Sequence, residues 1–220
     1  MSSSISLVLA STWQTLIMVF FSSVFATVIG LPVGILLSIT RSIEQGGILP
    51  CKGVNIVLGK IVNVLRSFPF IILMIVLLPL SRLILGTGIG TAATIVPLSI
   101  AASPFVARVV ESALNEVDEG VIQAARAMGS TNTDIIFKVM IPESLPSLIS
   151  GFTLTIINLI GYSAMAGALG GGGLGDLAIR YGYQRFRTDI MIESIVVIIV
   201  LVEIVQTLGN YLSKRISAKR

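Results

Sequence analysis

The sequence predicts an all-α, polytopic membrane protein with five transmembrane helices and a cytoplasmic segment of two short helices. Of its 220 residues, 54% are hydrophobic and only 12% are charged, whereas soluble domains carry about a quarter charged residues. Charged residues are absent from 1–40, 83–107 and 144–175. Because a membrane-spanning helix requires about 20 apolar residues, each of these stretches is long enough for one. The densest group of charges lies at 111–143.

The first span is predicted from Thr12 to Ile39. Trp13 suits the membrane–water interface near its start. Pro32 is expected to bend this helix, while Gly30 and Gly34 favour close packing against another helix. A turn-rich loop follows, predicted from turn-forming and charged residues: Arg41, Glu44, Gly46, Gly47, Pro50 and Lys52.

The second span is predicted as one helix from about Gly59 to Leu85. Only 15 uncharged residues separate Arg66 from Arg82, so both guanidinium groups are expected to snorkel toward opposite surfaces. For Arg66 a contact at a cytoplasmic gate is the alternative. Pro69 and Pro79 are expected to kink this helix.

A glycine-rich turn is predicted before the third span. Gly86, Gly88 and Gly90 interrupt the apolar run, and glycine is the usual residue where the chain turns sharply. The third span is then predicted over about Thr91–Val110. It should be bent at its two prolines, Pro97 and Pro104.

The fourth span is predicted to begin near Leu145, and the last to run over about Ile190–Leu212. Between them, Gly170–Gly173 and Gly175 are expected to form a flexible loop, because glycine destabilises helix interiors. This run lacks the Lys-Ser/Thr of a phosphate-binding loop. The chain is thus expected to be a single transmembrane domain over 1–220, with a core at about 12–212.

The basic residues predict the orientation. With 111–143 on the cytoplasmic side, five spans place the N-terminus outside and the C-terminus in the cytoplasm. Ten Lys and Arg residues then lie in cytoplasmic segments and four on the outer side, in agreement with the positive-inside rule. The cytoplasmic ten are Arg41, Lys52, Lys60, Arg108, Arg126, Lys138, Lys214, Arg215, Lys219 and Arg220; the outer four are Arg82, Arg180, Arg185 and Arg187. The last four of the ten are interpreted as an anchor at the lipid surface, and the loop at 180–187 as a functional outer surface.

Residues 117–142 predict two short helices joined at a glycine. Apolar residues recur at helical spacing on the first helix: Val117, Val121, Ala124 or Ala125, and Met128. One narrow apolar stripe is therefore expected. Gly129 can end that helix in a left-handed conformation. Thr131 and Asp134 have the spacing of a capping box that begins the second helix, and Pro142 is expected to stop it. A solvated connector is the alternative interpretation of this segment.

The spacing in this segment resembles the EAA signature of binding-protein-dependent ABC importer permeases. The residues that carry the resemblance are Gln123, Ala124, Ala125, Gly129, Val139, Ile141 and Pro142. In that family the loop docks into a cleft on a separate cytoplasmic ATPase. The resemblance therefore implies an ATPase-coupling loop at about 111–143, formed by these residues and Met128. Gln123 stands where the pattern has glutamate and so lacks its charge, and the later Ile-x-Leu-Pro reads Val-x-Ile-Pro.

Three further stretches, at 66–73, 161–165 and 172–175, resemble the permeases of methionine importers, a five-span branch with the type I ABC importer fold. The resemblance implies a homodimer in the bacterial inner membrane, two copies of an ATPase subunit and a periplasmic or lipid-anchored methionine-binding protein. It also implies alternating access driven by ATP, and transport of both L- and D-methionine.

The chain lacks the motifs of catalytic sites. It contains no Walker A sequence, no G-x-S-x-G and no H-E-x-x-H, so ATP hydrolysis is expected to belong to a partner chain. With no His and one Cys, neither a metal nor a cofactor is expected. No basic patch indicates nucleic acid, and lipid is the expected surrounding.

Four polar or flexible residues in the fourth span are candidates for a translocation path or gate. Asn158, Tyr162 and Ser163 are expected to share one side of the helix, where helix-to-helix hydrogen bonding is the alternative. Met165, among small residues, is a candidate gate or an ordinary packing residue. Glu203 in the last span is either a proton-coupling group or a neutral acid bonded to a neighbouring helix, at a dimer contact for example.

Two rival functions remain open from the sequence. The chain is alternatively the permease of an importer for another amino acid or an osmolyte. It is otherwise an ion-coupled secondary carrier that uses Glu203, although such folds usually contain inverted repeats, and no internal repeat is evident here.

Overall fold

A computed structural model describes residues 2–42 and 46–218 of the chain, with side chains from residue 4 onward. This part of the chain contains α-helices, turns and π-helical segments and no strand, so the all-α prediction is confirmed for it. Glu44, Lys219 and Arg220, for which the sequence predicts a loop and a lipid anchor, lie outside the described residues. The helices are α1 Ser2–Ile39, α2 Lys52–Ser67, α3 Phe70–Leu85, α4 Thr91–Asn115, α5 Glu119–Ala127, α6 Asn132–Asp134, α7 Ile141–Gly167, α8 Gly173–Leu177 and α9 Thr188–Ser217, with π-helical turns at Ile135–Met140 and Ala178–Tyr183.

Three helical stretches of the described chain are long and apolar enough to cross a membrane: α1, α4 and the continuous helix Asn132–Gly167. The pair α2 and α3 meets the same criterion when it is taken as one broken span. A multi-pass membrane protein is thereby supported. The count of five spans, and the assignment of residues 1–220 to one domain, stay predictions.

The second predicted span is wrong as a single helix. α2 ends at Ser67 and α3 begins at Phe70. Pro69 between them is extended, with φ −57° and ψ 127°. A proline disfavours helical geometry at the residue before it and cannot donate to the preceding turn, so the break falls at Phe68–Pro69. Pro79 lies inside α3, and the kink at this residue stays a prediction.

Most of these helices are longer than the predicted spans. α1 ends at Ile39 as predicted but begins at Ser2, α4 continues to Asn115, and α9 covers Thr188–Ser217. Each of these helices continues past its apolar residues into flanking polar residues. A hydropathy pattern marks only the apolar residues and so does not detect these extensions. The turn before α4 is confirmed, with Gly86 left-handed at φ +74°.

The chain divides into two compact units, each with its own core. The first comprises residues up to Ala26, Phe68–Ala102 and Leu154–Thr207. Its core contains Val8, Leu174, Leu177 and Ile190. Here the predicted loop is found at residues 170–172, but its extension to Gly173 and Gly175 is wrong, because these two belong to the buried helix α8.

Two side chains of α1 explain how α8 forms despite its glycines. Gln14 Oε1 and Thr15 Oγ1 accept the backbone N–H groups of Gly173 and Leu174, each at 2.9 Å, and so cap the helix from another element. Gly175 lies so close to α7 that a Cβ would come within 2.2 Å of the Ala164 carbonyl oxygen. The glycines therefore permit close approach here.

The second unit comprises Thr27–Ser67, Ser103–Thr153 and the residues from Leu208 onward. Buried Leu37, Val62 and Ala107 join α1, α2 and α4 in its core. Gly30 and Gly34 face α4 closely enough that Cβ atoms would lie 2.6 Å and 2.5 Å from its carbonyl oxygens. The predicted close packing at these glycines is confirmed.

Polar side chains also connect the three helices of this core. Ser38 donates to Asn115 Oδ1 at 2.8 Å and Asn55 donates to the Leu37 carbonyl at 2.8 Å. Arg108 donates to Glu111 at 2.6 Å and to Asn63 at 2.7 Å. The second unit thus positions the charged segment at 111–143 against a packed helical support.

Candidate functional site

The segment at 111–143 contains a short helix with well-defined ends. Asp118 caps the N-terminus of α5 by accepting the Gly120 N–H at 2.6 Å. At the other end Gly129 is left-handed, with φ +83°. Its N–H donates to the Arg126 carbonyl at 2.9 Å, and the Ser130 N–H donates to the Ala125 carbonyl at 3.1 Å. This pair of bonds is a Schellman motif, so the predicted left-handed end of the helix at Gly129 is confirmed.

The apolar residues of α5 occupy two faces and not the single predicted stripe. Ile122, Ala125 and the preceding Val117 are buried in the second unit. Val121 is 42% exposed and Met128 is 80% exposed, and exposed Ala124 lies between them on the same face. Residues three and four apart share a helix face. The three exposed residues therefore form one apolar surface, here named the α5 face.

The second helix of the segment begins as predicted. Thr131 Oγ1 accepts the Asp134 N–H at 3.2 Å, and its hydroxyl donates to the Asp134 carboxylate at 2.5 Å. Asp134 also forms an ion pair with Lys138 at 2.6 Å. These contacts place a cap at the start of α6.

The prediction that Pro142 stops this helix is wrong. Residues Asn132–Gly167 form one continuous helix of 36 residues, and Pro142 lies in the first turn of α7. A π-helical turn at Ile135–Met140 precedes it, in which the Ile141 N–H donates to the Ile136 carbonyl. The wider turn relieves the contact between a proline ring and the preceding carbonyls. Val139, Ile141 and Pro142 are half-buried at this turn.

Two small cavities flank α5. One, of about 110 Å³, is lined by Gly46, Gly47, Glu119, Ile122, Gln123 and Arg126. The other, of about 250 Å³, contains three carboxylates and is lined by Ala113, Glu116, Val117, Asp118, Val121, Glu143, Ser144, Pro146 and Ser147. Ser147 donates to Glu116 at 2.5 Å across the second cavity. The sequence does not predict that Gly46 and Gly47 line a cavity together with α5, although two adjacent glycines are a signal of a turn.

The structure brings together two of the four predicted path residues. Asn158 is exposed on α7 and Met165 is 50% exposed. They share a face with Leu154 and Gly161, because these four residues follow one another at intervals of four, three and four, the spacing of one side of a helix. The prediction from the sequence does not include Leu154 and Gly161, although this spacing was the available signal. We name these four residues the α7 face.

The other two predicted path residues lie elsewhere on α7. Tyr162 is half-buried and stacks on Phe70, with ring centroids 4.2 Å apart and planes 5° apart. Ser163 is buried and donates to the Ile160 carbonyl at 2.7 Å. Ser163 is therefore not on the α7 face.

Two ionisable residues of the predicted apolar spans, Arg66 and Glu203, are both exposed. The alternative for Glu203, a neutral acid bonded to a neighbouring helix, therefore requires a contact from outside this chain. Arg66 lies in the last turn of α2, beside the break before α3.

Comparison with known proteins identifies a family. Residues 30–218 match the family described as binding-protein-dependent transport system inner membrane component. A probable D-methionine transport system permease protein MetI of Vibrio cholerae is 48% identical over 210 residues, which cover 96% of this chain and 92% of that protein. The methionine import system permease protein MetP of Bacillus subtilis is 47% identical over 176 residues, or 80% of this chain and 79% of that protein.

Solved structures agree with this result. A chain of the MetNI methionine ABC transporter, in an inward-facing conformation, superposes with a TM-score of 0.94 at 44% identity and covers 98% of this chain and 99% of that one. An amino acid ABC transporter superposes with a TM-score of 0.78 at 21% identity, covering 98% of this chain and 96% of that one. At that identity the second match establishes likeness of fold alone.

Proposed function

Because the chain belongs to the family of binding-protein-dependent transport system inner membrane components, we propose that it is the translocation subunit of an ATP-driven methionine importer. Relatives at 46–50% identity are described as methionine transport permeases, and this supports methionine as the substrate. The proposal includes both L- and D-isomers. Another amino acid or an osmolyte is less favoured because these relatives share one described substrate.

The observation that carries the proposal is the α5 face. Val121, Ala124 and Met128 form an apolar surface on a short helix that is capped at both ends. An exposed apolar patch rimmed by polar residues is a common protein-interaction surface. We assign it to a cytoplasmic ATPase subunit, which hydrolyses ATP while this chain remains non-catalytic.

Two long apolar helices flank α5 in the chain, α4 before it and the helix that contains α7 after it. α6, the π-helical turn and α7 are continuous over Asn132–Gly167, and the same helix carries the α7 face. A displacement of the docked α5 would move the two helices that flank it in the chain, α4 and the helix Asn132–Gly167. Alternating access then follows from ATP binding and hydrolysis in the partner.

The proposed assembly is a homodimer with two ATPase subunits and a periplasmic or lipid-anchored methionine-binding protein. The α7 face supplies a polar residue, Asn158, and a flexible one, Met165, to a passage between the two copies. The chain resides in the bacterial inner membrane with its N-terminus outside and its C-terminus in the cytoplasm, as the distribution of basic residues indicates.

The docking role is tested at the most exposed residue of the α5 face. Met128→Asp places a charge in the apolar contact, and burying an unpaired charge is costly, so we expect at least a tenfold loss of copurifying ATPase. Met128→Leu keeps the apolar surface and serves as the matched control. Both variants are expressed with the ATPase, solubilised and analysed by size-exclusion chromatography. Full retention of the ATPase by Met128→Asp would contradict docking through α5.

A further inference from the structure

The last turn of α7 rests directly on the short helix α8. A Cβ on Gly167 would lie 2.2 Å from the Asp176 backbone nitrogen. A Cβ on Gly175 would lie equally close, 2.2 Å, to the Ala164 carbonyl oxygen. At these two glycines the backbones of the two helices therefore meet. Met165 follows Ala164 directly and is 50% exposed on the α7 face, so the position of α8 determines where Met165 lies.

α8 is held in turn by two side chains of α1. Thr15 is only 3% exposed, and its Oγ1 accepts the Leu174 N–H at 2.9 Å in a buried hydrogen bond. Gln14 Oε1 accepts the Gly173 N–H at 2.9 Å. Both N–H groups belong to the first turn of α8, where a helix offers its own N–H groups no carbonyl partner. Because a buried N–H without a partner costs free energy, these bonds fix α8 to one level of α1.

The loop between α7 and α8 is fixed by the same unit of the chain. The Gly90 N–H, in the turn before α4, donates to the Gly170 carbonyl at 3.0 Å. Gly172 is left-handed, with φ +78°, and a Cβ on it would lie 2.9 Å from Gln14 Oε1. Gln14 therefore lies against both the loop and the start of α8.

We propose that Thr15 and Gln14 are positioning residues that act through α8 to hold Met165 in place at the outer end of the passage. The inference rests on the proposed function, in which the α7 face lines the passage and α7 runs outward from the cytoplasmic α5. With both hydrogen bonds intact, α8 supports the last turn of α7 and Met165 closes the resting passage. Without them α8 shifts, and position 165 becomes accessible from outside.

The test measures how fast a cysteine at position 165 reacts from the outer side. With Cys51→Ser as background, Met165→Cys is expressed with the ATPase in a bacterial host, without added methionine or binding protein. Spheroplasts are reduced, washed and treated with a membrane-impermeant maleimide, and the purified chain is analysed by mass spectrometry. Thr15→Val removes the acceptor and keeps the shape of the side chain. We expect it to raise the labelling rate about fivefold, the lower end of the effect of leaving a buried N–H unpaired.

Further variants separate the hydrogen bonds from a general loss of structure. Thr12→Val is the matched control, because the Thr12 hydroxyl donates to the Val8 carbonyl of its own helix at 2.7 Å, and it should leave the rate unchanged. Thr15→Ser retains the hydroxyl oxygen and should be labelled at the native rate. Gln14→Leu should accelerate labelling, whereas Gln14→Glu retains an oxygen acceptor and should not. Gly34→Ala overpacks the second unit and should not accelerate labelling either.

A native labelling rate in both Thr15→Val and Gln14→Leu would overturn the positioning role. Equal acceleration by Thr15→Val and Thr12→Val would also overturn it, and so would a complete lack of labelling from outside. If Thr15→Val is not recovered from the membrane, Gln14→Leu provides the same test.

Uptake of labelled L-methionine by the native importer, reconstituted with ATPase and binding protein in liposomes, distinguishes this inference from the proposed function. If methionine is taken up while neither Thr15→Val nor Gln14→Leu changes the labelling rate, only the positioning role fails. If none is taken up while Thr15→Val still accelerates labelling, the proposed substrate is wrong and the positioning role stands.

Discussion

Gly129 illustrates how far local chemistry alone determines this site. The left-handed conformation at φ +83° and both Schellman hydrogen bonds follow from a glycine after an amphipathic helix. The capping box at Thr131 and Asp134 is predictable in the same way, because its partners are three residues apart. Both features could be predicted from the sequence since they depend on near neighbours only.

Burial around α5 and α7 depends on tertiary partners and is less predictable. Ala124 and Ala125 are chemically identical, and only the packing of α5 buries the second. Ser163 follows Asn158 by five residues, which is a rotation of about 140° at 3.6 residues per turn. The prediction that Asn158 and Ser163 share one side of the helix is therefore wrong, whereas Met165 is only about 20° away from Asn158.

The first residue-scale prediction concerns Gly129→Pro. Proline requires φ near −65° and not the observed +83°, and it has no N–H to donate to Arg126, so the Schellman motif is lost. We expect uptake to fall at least tenfold while the ATPase activity of the complex persists and the chain still inserts in the membrane. Gly129→Asn is the matched control because asparagine tolerates the left-handed region. Uptake of the proline variant at the native rate would refute the coupling role of this turn.

At the scale of elements, prolines of the same chemistry have opposite outcomes. Pro69 separates α2 from α3, and its carbonyl accepts the N–H groups of Ile72 and Leu73, the first hydrogen bonds of the new helix. Pro142 lies inside a continuous helix because the π-helical turn before it provides space. The sequence does not distinguish these cases, since each outcome depends on where the freed backbone groups find partners.

The contact between α1 and α4 yields a prediction of stability. Gly34→Ala places a Cβ 2.5 Å from the Ala107 carbonyl oxygen, and overpacking of this kind typically costs about 1–3 kcal/mol. We expect a lower melting temperature for the chain in detergent, measured by differential scanning fluorimetry. Gly59→Ala is the matched control on α2, where the nearest atom is 3.9 Å from the added carbon, and it should be neutral or stabilising because alanine favours helix. Equal melting temperatures for the two variants would contradict the close α1–α4 contact.

At the scale of the whole molecule, composition determines the class of protein but not its contacts. Low charge and long apolar runs predict the membrane helices, and the charged segment at 111–143 predicts the cytoplasmic site. The α7 face cannot be predicted in this way, because exposed apolar side chains have the same sequence pattern whether they contact lipid or a second subunit. The number of spans also depends on the break at Pro69, which hydropathy does not resolve.

The proposed homodimer makes a symmetry prediction for the α7 face. In a two-fold dimer a residue near the axis meets its own copy. With Cys51→Ser as background, Met165→Cys should therefore form a disulfide-linked dimer on mild oxidation, since such a bond requires Cα atoms within about 7 Å. Ser163→Cys, at a buried position on the same helix, is the matched control and should remain monomeric on a non-reducing gel. A dimer band from Ser163→Cys and none from Met165→Cys would place the subunit contact on another side of α7, and the passage would then be lined by different residues.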